Sequence, residues 1–196
     1  MKLTKRQIEI IDAALELIAA GGIQNLTVKH LAEALGITEP AIYRHFKSKS
    51  EVVKTMIAGF DEEVAPSEPG QHGFEAVEAF IRNRFRQVAA RPALARVLFA
   101  EELFMGEEEF SGQMLAMMHR HKAALERHFQ EAQSCGEIRP EIQSDTLFRL
   151  VFGPVRLLIK QWGMSGGAFD LATKGDELIA ALKQILRPDP QTGRAK

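Results

Sequence analysis

The sequence predicts an all-α protein, with a small N-terminal helix-turn-helix head and a larger helical body, about nine helices in all. Three observations predict it. Apolar residues recur with helical period along most of the chain, as in Ile8, Ile11, Leu15 and Ile18. The β-branched alternation expected of strands is nearly absent. Gly and Pro punctuate the helical stretches at Gly21-Gly22, at Gly36, at 65–73 with two Pro and two Gly, and at 163–167.

Each element has its own warrant. A first helix is expected over 4–20, capped by Thr4 and stopped by Gly21-Gly22. Thr27 caps a second that ends at Gly36, and Thr38 caps a third. Ser48 or Ser50 starts a fourth, running to 64. The segment 65–73 breaks the chain. Helices over 74–89 and 92–105 follow, divided by Arg91-Pro92. A long helix over 107–134 ends at Cys135-Gly136. The last pair covers 144–164 and 169–186 before Pro188 and Pro190. The domain reading is a helix-turn-helix domain over 1–50, a ligand-binding and dimerisation body over 51–188, and a disordered tail over 189–196.

Composition narrows the class. The 196 residues are 45% hydrophobic and 26% charged, an ordinary globular profile that can bury a sizeable core. The net charge of −1 does not by itself argue for nucleic acid. Residues 1–55 hold eight Lys/Arg against six Asp/Glu, a small basic excess. Cys135 is the single cysteine, which rules out an internal disulfide and suits a reducing compartment. Glu9, Asp12 and Glu16 interrupt the N-terminal apolar run, so a signal peptide is not expected. No stretch approaches the ~18 apolar residues of a membrane span, and a cytoplasmic protein is expected.

Residues 27–49, TVKHLAEALGITEPAIYRHFKSK, carry the most information. Val28, Leu31, Leu35, Ile37 and Ile42 form a mini-core at helix-turn-helix spacing. Ala32 is small where two helices approach, and Gly36 falls where the turn calls for a left-handed backbone. Pro40 sits in the first turn of the third helix, where its missing N–H costs little. Ile42 and Phe46, four apart, share the buried side and leave Glu39, Tyr43 and Arg44 outward. The helix starts at Thr27 and Thr38 offer free N–H groups to phosphates. Together these features predict binding to double-stranded DNA.

This stretch resembles the TetR family of transcriptional regulators in its capping Thr27, small Ala32, Gly36 turn, Tyr43-x-x-Phe46 and Lys49. The detailed match covers about the first 55 residues, and beyond it the helical plan and length agree. The resemblance implies phosphate contacts by Thr27, Thr38, Tyr43, His45 and Lys49. It implies that Glu39, Pro40, Ala41 and Arg44 approach base edges. Glu39 departs from the commoner small or basic residue, and two readings stay open for it: acceptor for cytosine N4, or a solvated side chain.

The body is expected to pair two heads and to respond to a ligand. The last two helices look too apolar for one-sided burial, with burial inside one subunit as the plainer alternative. The resemblance implies a four-helix homodimer interface from them, with Leu150, Gly153, Leu157, Trp162, Leu178, Leu182 and Ile185 as candidates. The body is also rich in Phe and Met, which line adaptable apolar pockets. The candidate ligand residues are Phe85, Phe99, Phe104, Met114, Met117, Met118, Phe148 and Phe152. Read singly, each is more often plain core. The expected effector is a small, largely apolar molecule. The acidic residues Glu101, Glu102 and 107–109 could favour a cationic one, although a solvated run is the plainer reading.

Other chemistries lack support. His119 and His121 fall on different helix faces, and His121 and His128 lack a third ligand, so no metal is expected. Cys135 has no resolving partner for a redox role. No Gly-rich phosphate loop, G-x-S-x-G or H-E-x-x-H occurs, so neither catalysis nor a cofactor is expected. The function expected is a ligand-responsive regulator, a repressor released from its operator by population shift. An architectural DNA-binding dimer without a ligand is the first alternative, and a helical enzyme or carrier the second.

Overall fold

The computed structural model describes residues 3–62, 70–97 and 108–188. Among the described residues there are nine helices and no strand. They are α1 (Lys5–Asn25), α2 (Val28–Leu35), α3 (Glu39–Tyr43), α4 (Lys49–Glu62), α5 (Gly73–Ala90), α6 (Ala93–Val97), α7 (Glu108–Ser134), α8 (Ser144–Met164) and α9 (Leu171–Leu186). The expected tail at 189–196, most of the linker at 65–73 and the second half of the helix expected over 92–105 lie outside the described residues.

The chain divides into two compact units, Met1–Glu63 with Ala93–Met117, and Val64–Pro92 with Met118–Lys196. α6 packs against α1 and belongs to the first unit.

In the first unit α1 packs against α2, α4 and α6. Thr4 starts it with a reciprocal cap: the Gln7 N–H donates to Thr4 Oγ1, and the Thr4 N–H donates to Gln7 Oε1 at 3.0 Å. Its buried face is Ile10, Ile11, Ala14, Leu15 and Ile18. Ile8, expected on that face, is exposed, because the stripe begins two residues later at Ile10. Gly21-Gly22 break the helix as expected, with Gly22 at φ 72, ψ −177. The chain then makes one more turn and buries Ile23 and Leu26. Each such burial contributes roughly 1.5–3 kcal/mol.

The second unit holds α5, α8, α9 and α7 from Met118 on. α5 runs along α9, and Gly175 of α9 allows the Phe85 ring to lie against the α9 backbone. Glu78 joins the same two helices, accepting from Lys183 at 2.7 Å and Arg82 at 3.0 Å. α5 begins with His72, whose side chain makes no capping bond. Two carboxylates replace that cap: the Gly73 N–H donates to Glu131 and the Phe74 N–H to Glu137 at 2.7 Å. Negative charge there also suits the positive end of the helix. The Gly73 amide first, and then the His128 ring, hold the Glu131 carboxyl below the usual carboxylate range.

Candidate nucleic-acid interface

The turn between α2 and α3 is set by local chemistry. Thr27 Oγ1 accepts from the His30 N–H at 3.0 Å, and His30 Nδ1–H donates to the Asn25 carbonyl at 2.7 Å. Gly36 ends α2 at φ 62, ψ 34, and its N–H returns to the last turn of the helix. A residue with a Cβ would be strained by about 1–2 kcal/mol in that conformation. Leu31, Ala32, Ile42 and Phe46 are buried, while Val28, Leu35 and Ile37 are half-buried at the edge of the mini-core. Ile42 and Phe46 thus anchor α3 from beneath.

That anchoring turns the rest of α3 outward. Tyr43 is 52% exposed, and Glu39, Pro40 and Arg44 are exposed as well. Ala41 and His45 are half-buried. Thr38 is exposed and, unlike Thr27, makes no side-chain capping bond. Ser48 starts α4: its Oγ accepts from the Glu51 N–H at 3.2 Å, and Glu51 Oε2 accepts from the Lys47 N–H. Lys49 is half-buried, and its Nζ donates to the Ile23 carbonyl at 3.1 Å. It therefore ties the start of α4 to the end of α1. Nothing in its sequence context announced that tie, because it spans 26 residues.

The body residues named from sequence fall into several places. Met114 and Met117 belong to the first unit, Met114 half-buried and Met117 buried. Met118, Phe85, Phe148 and Phe152 belong to the second. Phe99 and Phe104 lie outside the described residues. Phe148 and Phe152 stack with ring centroids 5.0 Å apart. Phe152 also meets Phe80 of α5 and His121 of α7, at 6.5 and 6.4 Å. Phe85 rests instead on Gly175.

Sequence reasoning missed Arg84 and Gln87. Arg84 is 1% exposed, within hydrogen-bond reach of Gln87 Oε1 at 3.2 Å and His121 Nε2 at 3.3 Å. A signal was available: Arg84 continues the apolar stripe Val77, Ile81, Val88 of α5.

Of the residues named for pairing, Leu150, Gly153, Leu157 and Ile185 are exposed and Leu178 is half-buried. Leu157 is 58% and Ile185 64% exposed. Trp162 and Leu182 differ, being buried within the chain itself. The Trp162 indole N–H donates to the Phe169 carbonyl at 2.9 Å, which closes the turn between α8 and α9. Among the described residues no cluster of three or more candidate ligands could hold a metal, and no helix is long and apolar enough to cross a membrane.

Comparisons with known proteins agree along most of the chain. A family model described as bacterial regulatory proteins, tetR family, matches residues 10–56, and one described as the YsiA-like protein C-terminal region matches 47–184. The HTH-type transcriptional repressor KstR2 of Mycobacterium tuberculosis is 24% identical over 191 residues, covering 91% of this chain and 92% of the repressor. The fatty acid metabolism regulator protein of Bacillus subtilis is 22% identical over 185 residues, covering 90% and 93%. Among solved structures, the fatty acid degradation regulator FadR from Bacillus halodurans superposes with a TM-score of 0.80 at 22% identity, over 96% of this chain and 100% of that one. FadR from Bacillus subtilis in complex with stearoyl-CoA gives 0.72 at 22% identity, over 89% and 96%.

Proposed function

Since this chain belongs to the tetR family of bacterial regulatory proteins and is a DNA-binding transcriptional regulator, we propose that it works as a homodimeric repressor released from its operator by an apolar effector. The observation that carries the reading is α3: Ile42 and Phe46 pin it from below and leave Glu39, Tyr43 and Arg44 on an open face. A short helix fixed in this way can enter a major groove without ordering itself on contact. Tyr43 is assigned to phosphate and Arg44 to a base edge. Thr27, Thr38, His45 and Lys49 complete the phosphate set, and Glu39, Pro40 and Ala41 the base-facing set. Two copies joined through α8 and α9 would present two such helices to a pseudo-palindrome. The exposed Leu157 and Ile185 support that pairing.

For the effector we favour a long acyl compound. Stearoyl-CoA in the Bacillus subtilis FadR structure supports the class, and so do the stacked Phe148 and Phe152 in this body. Its binding would shift the population toward head positions that do not fit adjacent half-sites. A gel shift on the promoter beside its own gene tests the reading. The expected result is a salt-sensitive complex that a long acyl compound dissolves. A complex equally stable at saturating effector would defeat the release mechanism, and no complex at any salt would defeat the operator.

A further inference from the structure

We infer that Arg84, Gln87 and His121 form the polar end of an effector site in the body, and that they read the head oxygen of an acyl compound. The inference deepens the effector reading and rests on it. Three helices of the second unit build the place. Phe80, Arg84 and Gln87 lie at i, i+4 and i+7 on one face of α5. His121 comes from α7, and Phe148 and Phe152 from α8. The Phe80 ring centroid stands 5.6 Å from the Arg84 guanidinium carbon, and Phe80 meets the His121 ring edge-on at 5.7 Å.

The chemistry of the three polar groups is complementary to an oxygen. A guanidinium can only donate, so His121 Nε2 is the acceptor in its contact with Arg84. Gln87 Oε1 accepts from the guanidinium on its other side. That leaves the Gln87 amide nitrogen as a donor that is buried and has no hydrogen-bond partner among the described residues. Buried amide donors without an acceptor are uncommon and call for one. An acyl oxygen supplies it, next to a cation whose planar fork matches a carboxylate. The aromatic rings beside it take the apolar part of such a molecule. Stability does not account for a guanidinium here, since an apolar side chain of similar volume is often as good or better.

The head oxygen could belong to a free carboxylate or to a thioester carbonyl. Calorimetric titration of the full chain with dodecanoate, dodecanoyl-CoA and dodecanol separates these sources. At least one acyl compound should bind about tenfold tighter than the alcohol, and Arg84→Met should bring that ratio close to one. Preference for dodecanoate alone assigns a carboxylate, and preference for the CoA compound alone a thioester. Equal binding of all three, no binding of any, or an unchanged ratio in Arg84→Met overturns the assignment. If circular dichroism shows that Arg84→Met does not fold, Gln87→Leu serves instead: a ratio lowered about threefold supports the site, and an unchanged ratio overturns it. The operator gel shift keeps the two readings apart. Release by dodecanol as readily as by the acids leaves a responsive repressor without this head-group site. Arg84-dependent binding without release leaves the site and removes the mechanism.

Discussion

Tyr43 and Arg44 are neighbours in sequence, both exposed, and the proposed roles give them two different kinds of contact. A phosphate contact fixes register and contributes equally at every sequence, whereas a base-edge contact discriminates. Tyr43→Ala is therefore expected to weaken binding by a similar factor on all duplexes. Arg44→Ala is expected to cost about 1–3 kcal/mol on the preferred site and to relax selectivity at one base pair. Competition binding on a library of single-base variants measures both, and a uniform loss for Arg44→Ala would remove it from the base-reading set. At this scale the head was legible in the sequence. Thr27 caps the His30 amide three residues on, Gly36 closes onto Ala32 and Glu33, and the burial of Ile42 and Phe46 follows from helical phase. Lys49 and Arg84 were not, because Ile23 and His121 reach them only after the chain has folded.

Between elements, the fit of α5 to its neighbours depends on two small features of the second unit. At Gly175 an added Cβ would stand 2.4 Å from the Phe85 ring. Gly175→Ala gains up to about 1 kcal/mol of helix propensity but forces a ring in a packed seam to move, at about 1–3 kcal/mol. The net expectation is a lower unfolding midpoint in urea, and a higher one would mean the α5–α9 seam is looser than described. The other feature is the start of α5 on Glu131. Its carboxyl is held low in the folded protein, so its stabilising contribution is complete above the ordinary carboxylate range. That contribution is lost as pH falls through the lowered folded value, when the carboxyl protonates. Glu131→Gln should thus lower the thermal midpoint near neutral pH and converge with the parent in acid. A constant difference across the range would exclude the carboxylate as the cause. The sequence foretold the helices here but not this cap, since His72 offered no conventional signal and Glu131 lies 58 residues from Gly73.

For the whole molecule, the proposed pairing runs through the outer faces of α8 and α9. Leu150, Leu157, Met164 and Ile185 are all exposed on this pair, and solvent is a poor environment for four large apolar side chains on adjacent helices. Trp162 and Leu182 are buried, and Trp162 bonds the Phe169 carbonyl in the turn between the helices, so the outward residues can be altered with little effect on the fold of one chain. Around Gly153 an added Cβ would meet nothing within 4 Å, which leaves that face open to a second helix. Leu157→Glu combined with Ile185→Glu would set unpaired carboxylates into such an interface, which is strongly unfavourable when desolvated. The double variant is expected to sediment as a monomer at concentrations where the parent is a dimer, with its helical circular dichroism retained. Operator binding should fall together with dimerisation, because one recognition helix alone forfeits the second half-site. A variant that remains dimeric would move the interface away from these two helices. A monomer that binds the full operator as tightly as the parent would show that pairing is not what the DNA requires.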